Sequence, residues 1–262
     1  MKKGFLLALA ATVAFTLTGC GSKAASGDDK KYVFATDAQY APMENMDKDK
    51  IVGFDVDFLD AVMKEAGVKY ELKNIGWDTL LESVKQGKEY HGAISSVSIT
   101  DERKATYDYS APYFESINMI LVKEDSPVKS AADLKEKKVA VQISTTADTI
   151  MGTILGEKNP NLKKFDSNAV ALMELEKGGV DAVVADVAIV REYLKNNPNK
   201  KFKSIEDTKN FTPEYYAILL PKGSELKAKL DPAIKKVVSS GTYKEIYKKW
   251  MGVEPKVDSL LK

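Results

Sequence analysis

The stretch Ser95-Ser96-Val97-Ser98-Ile99-Thr100-Asp101-Glu102-Arg103 carries the most specific chemistry of the chain. Apolar alternation at Ile94, Val97 and Ile99 predicts the end of a strand, with Thr100 placed to cap a short helix that begins at Asp101. Arg103 then falls in the first helical turn, where the positive end of the helix dipole disfavours a cation and asks for an anion. The sequence holds two arginines, Arg103 and Arg191, against 37 lysines, so a guanidinium here is a distinct choice of cation. Its planar fork matches a carboxylate through two parallel bonds, which an ammonium does not. Ser96 and Ser98, one strand period apart, are expected to add hydroxyls on one face. Two readings stand: a capped helix whose arginine pairs with Asp101 or Glu102, and a pocket for a small carboxylate.

At the amino end, Met1-Lys2-Lys3 is a basic segment followed by an apolar run over 5–17, the pattern of a secretory signal too short for a comfortable membrane span. Leu17-Thr18-Gly19-Cys20 resembles the lipobox of bacterial lipoproteins, which implies cleavage before Cys20 and a diacylglycerol thioether on its sulfur. Cys20 is the one cysteine, so no disulfide is expected. Residues 20–31 are small, polar and charged, as in a flexible tether. Loss of Lys2 and Lys3 with a signal at 1–19 leaves 37 Lys and Arg against 38 Asp and Glu, a net charge of −1 instead of +1. That balance offers no basic footprint for nucleic acid. His91 is the one histidine and suits a loop, and no residues are spaced as a metal site.

From residue 32 onward, short apolar strands alternate with amphipathic helices, an α/β pattern with a largely parallel sheet. Strands are expected at 32–36, 69–73, 118–122, 139–142, 180–185 and 215–220. Asp78 is predicted to cap the helix carrying Leu80, Leu81 and Val84, and Asn168 a later one, while a final helix covers 234–250. Ser144-Thr145-Thr146 supplies hydroxyl caps to a helix reaching about residue 155, and free amides at such an end form an anion site. Asp186 closes the strand at 180–185, where open α/β sheets place ligand groups, although an aspartate there can equally cap a helix. The pattern predicts two lobes, 32–115 plus 215–262 and 116–214, with a cleft between.

Several of these motifs, in this order, resemble the polar-amino-acid-binding proteins of ABC importers: the signal and lipobox, Gly53-Phe54-Asp55-Val56-Asp57, Ser98 to Arg103, Tyr109-Ser110-Ala111-Pro112-Tyr113, and the strands leading to Thr146 and Asp186. The likeness covers about residues 32–255 and is strongest to the lysine/arginine/ornithine- and histidine-binding branch. It implies a type II periplasmic-binding-protein fold that closes on its ligand about two crossover strands. It further implies that Arg103 clamps the ligand α-carboxylate with backbone amides of Ser98 and Thr146. The Ser96 carbonyl, the Ser98 hydroxyl and Asp186 would hold the α-ammonium, Asp37 and Tyr40 would meet the side chain, and Trp77 would be an aromatic wall or plain core. Glu44, Ser95 and Thr145 are further candidates. A glycine usual before the paired threonines is Ser144 here. The implied partners are a basic amino acid, permease membrane subunits with their cytoplasmic ATPase, and a lipid bilayer reached through acylated Cys20. The protein would act as a monomer without a cofactor. The alternatives are a glutamine-binding protein and, from another class, a dehydratase using Asp37 or Glu44 as acid or base.

Overall fold

Strands β1 (Tyr32–Thr36), β2 (Gln39–Tyr40), β3 (Glu44–Asp47), β4 (Lys50–Val52), β5 (Tyr70–Asn74) and β6 (Gly92–Ala93) alternate with helices α1 (Phe54–Ala66), α2 (Trp77–Gln86) and α3 (Asp101–Lys104). The chain continues through β7 (Tyr107–Ser116), β8 (Asn118–Lys123), β9 (Val139–Gln142), α4 (Thr146–Leu155), β10 (Leu162–Phe165), α5 (Asn168–Lys177), β11 (Ala182–Asp186), α6 (Val187–Asn196) and β12 (Phe202–Ile205). It ends with β13 (Glu214–Pro221), α7 (Leu226–Val238) and α8 (Gly241–Met251). This computed structural model describes residues 30–262; the signal segment, Cys20 and most of the tether lie outside the described residues.

Two five-stranded sheets result, in the orders β5-β1-β6-β13-β7 and β10-β9-β11-β8-β12. Each is mixed, where the sequence pattern predicts largely parallel pairing. β1 runs parallel to β5 and β6, but β13 is antiparallel to both β6 and β7. Likewise β9 is parallel to β10 and β11, while β8 is antiparallel to β11 and β12. The antiparallel strands arise because the chain leaves the first sheet along β7, enters the second along β8 and returns along β13. β2, β3 and β4 form a small antiparallel sheet of their own.

Alternation within the strands sorts the core. In β8, Met119 and Leu121 face one apolar cluster while Ile120 and Val122 face another. In β1 and β13, Phe34, Tyr216, Ile218 and Leu220 are separated in the same way from Ala35, Ala217 and Leu219. Both faces of each sheet are therefore covered, which explains strands that read as nearly continuous apolar runs. Each fully buried Leu, Ile, Val or Phe contributes about 1.5–3 kcal/mol. Below β7 and β13 lies an aromatic nest in which Phe58 stacks on Tyr113 at 4.7 Å and Phe114 on Tyr216 at 5.4 Å.

Local chemistry departs from expectation at three helix ends. Gly76, not Asp78, precedes α2, and the Ser167 hydroxyl, not Asn168, caps α5 by accepting from Val170 N–H. Asn168 instead donates to Gln142 Oε1 at 2.7 Å. The helix expected at 234–250 is split into α7 and α8 at Ser239-Ser240, whose hydroxyls bond the carbonyls of Lys235 and Val237 and compete with the helical ladder.

Gly53 opens α1 at φ 147, ψ 177, a conformation essentially confined to glycine, and a Cβ there would meet the Met43 carbonyl oxygen at 2.0 Å. Gly53→Ala is expected to cost at least about 2 kcal/mol, read as a lower denaturant midpoint at unchanged slope.

Candidate functional site

Strands β1, β6, β9 and β11 end at one place, and the segments that follow them build a pocket. The turn after β1 delivers Asp37 and β2 carries Tyr40, the turn after β6 delivers Ser95, Ser96 and Ser98, β9 leads to Gln142, Thr145 and Thr146, and β11 ends in Asp186. Trp77 from the start of α2 and Arg103 from α3 complete the wall. The cavity proper is small, about 20 Å³, and the free space between these residues reaches about 350 Å³ only when the part open to solvent is counted. Ten of the residues named from sequence thus come together. Glu44 does not join them. It is fully buried behind the pocket, where its Oε1 accepts from the Ser95 hydroxyl at 2.6 Å.

Thr100 caps α3 as expected, its hydroxyl accepting from Arg103 N–H at 3.1 Å. The guanidinium turns away from Asp101 and Glu102. It donates through Nη1 to the Ser98 carbonyl at 3.0 Å and through Nη2 to the Ser144 carbonyl at 2.8 Å, with its carbon 5.5 Å from the Trp77 ring centroid. Ser144 also accepts from Trp77 Nε1 at 3.3 Å. Its φ of 60 lies in the left-handed region, where a glycine is at ease. Trp77 is therefore both packed and a pocket wall.

The two serines do not share the strand geometry expected of them. Ser96 adopts φ 51, and β6 ends at Ala93. Ser96 N–H donates to Asp55 Oδ2 at 2.8 Å, while the Ser98 hydroxyl donates to Glu214 Oε2 at 2.6 Å. The left-handed residue resets the chain between them, and no alternation rule foresees it. Thr145 is the cap of α4, accepting from Asp148 N–H, so the helix starts at Thr146, itself a pocket residue.

The acidic groups are the electrostatic feature of the pocket. Asp186 precedes α6 without capping it, which leaves its carboxylate to the cleft. Tyr40 donates its hydroxyl to Asp186 Oδ2, and Ser116 donates to Oδ1 at 3.4 Å. Burial, and then the negative charge of Glu214, push the Asp186 carboxyl up to about 7 against those hydrogen bonds. Burial likewise raises Asp37, which is 4% exposed and receives only long bonds from the Gln39 and Gln142 amides, at 3.3 and 3.5 Å. Behind them, burial and the Asp55 charge raise Glu44 well above the carboxylate range. Asp55 is pushed up to about 6 by burial, held back by the Ser96 amide and the Tyr113 hydroxyl.

Three polar residues escaped the sequence reading. Gln142 could have been found as the last residue of a buried strand. Asp55 lay within a motif but on a helix whose other residues spoke for packing. Glu214 carried no local signal: its partners Ser98, Asn118 and Thr146 are at least 68 positions away. Among the described residues, no group of three or more His, Cys, Asp or Glu could hold a metal ion, and no helix is long and apolar enough to cross a membrane.

The model of the bacterial extracellular solute-binding proteins, family 3, matches residues 32–253. A probable histidine-binding protein of Neisseria gonorrhoeae is 38% identical over 97% of this chain and 97% of its own. The arginine-binding extracellular protein ArtP of Bacillus subtilis is 33% identical over 95% of this chain and 98% of its own. Among solved structures, the arginine-, lysine-, histidine-binding protein ArtJ of Geobacillus stearothermophilus superposes with a TM-score of 0.86 at 58% identity, covering 89% of this chain and all of that one. Two mixed α/β sheets joined by crossing strands, with a pocket at the strand ends, are thus the type II periplasmic-binding fold, and the chain belongs to family 3 of the bacterial extracellular solute-binding proteins.

Proposed function

We propose that this protein is the binding component of an ABC amino-acid importer and takes a basic L-amino acid, arginine before lysine, ornithine or histidine. One observation carries the reading: a single pocket holds one guanidinium, Arg103, and two carboxylates, the buried Asp37 and the half-buried Asp186. A zwitterion answers Arg103 and Asp186 with its α-carboxylate and α-ammonium. Asp37 remains, desolvated and poorly bonded, and a cationic side chain satisfies it better than an amide does. Tyr40 and Trp77 would flank that cation with π faces. The names of the relatives, which bind arginine, lysine or histidine, support the same class, and their being binding proteins supports capture over turnover.

In this reading the sheets belong to two lobes, 32–115 plus 215–262 and 116–214, hinged where β7 and β13 cross. The bonds from Tyr40 to Asp186, Trp77 to Ser144 and Arg103 to Ser144 join the two sides, so the described state is the closed one. A ligand spanning Arg103 and Asp186 would favour it over an open state by differential binding. The protein would then present closed, loaded lobes to its permease while tethered as a monomer through acylated Cys20.

Arg103→Ala should weaken arginine binding at least about 30-fold in calorimetric titration, because a desolvated ion pair loses one partner at a cost of about 2–5 kcal/mol. An unchanged dissociation constant overturns the clamp. Asp37→Asn should reduce arginine affinity far more than glutamine affinity in the same assay. Wild type preferring glutamine would overturn the basic specificity and leave amino-acid binding standing. Cys20→Ala should move the folded protein from the membrane to the soluble fraction on cell fractionation.

A further inference from the structure

Glu214 stands at the first position of β13, one of the two strands that join the sheets, and its carboxylate gathers three donors. Oε2 accepts from the Ser98 hydroxyl at 2.6 Å and from the Thr146 hydroxyl at 2.8 Å, and Oε1 accepts from Asn118 Nδ2 at 2.7 Å. Ser98 and Thr146 lie on opposite walls of the pocket, and Ser98 and Asn118 are 4% and 1% exposed. A carboxylate accepts and never donates. The Ser98 proton is therefore committed to Glu214, and the lone pairs of that oxygen are left for the pocket.

We propose that Glu214 is a positioning residue for ligand binding: it holds the Ser98 hydroxyl as an acceptor toward the ligand α-ammonium. The proposal rests on the amino-acid reading above and adds to it the origin of the Ser98 polarity. Without an acceptor behind it, the hydroxyl is free to rotate, and some orientations present hydrogen to a cation. The same three bonds make the carboxylate a tie between the two sides of the closed cleft, centred on a connecting strand. Asn118 is oriented by it as well: Nδ2 faces Glu214 and Thr146, which leaves the buried Oδ1 without a partner among the described residues. That spare oxygen makes a prediction about the conservative variant. In Glu214→Gln the new amide donor can face Asn118 once that side chain turns over, so an acceptor for Ser98 survives.

The test is arginine titration of the whole mature protein in four forms: wild type, Ser98→Ala, Glu214→Met and the double variant, with Glu214→Gln alongside. Glu214→Met should lose about tenfold or more in affinity, the scale of one hydrogen bond to a charged group. On the Ser98→Ala background the same change should cost clearly less than on wild type, because the hydroxyl it directs is gone and only the bonds to Thr146 and Asn118 remain to be lost. Glu214→Gln should recover most of the loss. Additive losses in the double variant, equal losses for Gln and Met, or full binding by Glu214→Met each overturn the proposal. Glu214→Ala is titrated in parallel and held to the same outcomes should the methionine variant not fold. A wild type that binds no arginine removes the amino-acid reading itself, whereas wild-type binding with an unaffected Glu214→Met removes only this proposal.

Discussion

Desolvated charge is the constraint on which this structure turns. Arg103, Asp37 and Asp186 share one cleft, Asp37 buried and the other two half-buried, and neither carboxylate has a cationic side chain beside it among the described contacts. The guanidinium spends two of its bonds on the carbonyls of Ser98 and Ser144, one from each side. Burial raises the pKa of both carboxylates against the hydrogen bonds they receive, and Asp186 reaches about 7. Charges arranged in this way are costly until a molecule of complementary pattern arrives. Binding sites store affinity in that form.

The surroundings keep those charges at fixed separations. Behind the pocket, a set of buried hydrogen bonds ties Ser95 to Glu44, and Ser96 and Tyr113 to Asp55. It anchors the turn after β6 to the small sheet, to α1 and to β7 at once. The aromatic nest then braces Tyr113 and Tyr216 through ring contacts with Phe58, Phe54 and Phe114, each such pair contributing about 0.5–1.5 kcal/mol beyond area burial. Tyr113 and Tyr216, both fully buried, lie on the connecting strands β7 and β13, so the place where the sheets join is itself part of the core. Motion about these strands would leave the core of each sheet undisturbed.

Much of this was legible in the residues themselves. Apolar strands, amphipathic helices with glycine ends, the Thr100 cap, and Arg103 and Asp186 at element boundaries follow from periodicity and capping chemistry acting over a few residues. Ten pocket residues could be named because strand ends face one crevice in α/β folds, and because the ordered motifs resembled a family. Local rules failed where two capping candidates stood side by side, as at Ser167 and Asn168, and where hydroxyls broke a helix at Ser239-Ser240. In both cases the competing local bonds differ by little, and packing chooses between them.

What the sequence by itself determined is the alternation of elements and the inventory of charges, since both depend on interactions within a few positions. Tertiary structure alone decided the mixed sheets, because a strand pairs with whatever the crossing chain brings beside it. It also withdrew Glu44 from the pocket into a pair with Asp55, turned Ser96 to φ 51, and set Glu214 beneath Ser98 and Thr146. These depend on contacts between residues from 11 to 116 positions apart. No periodicity spans such distances; only the folded backbone brings those atoms within 3 Å.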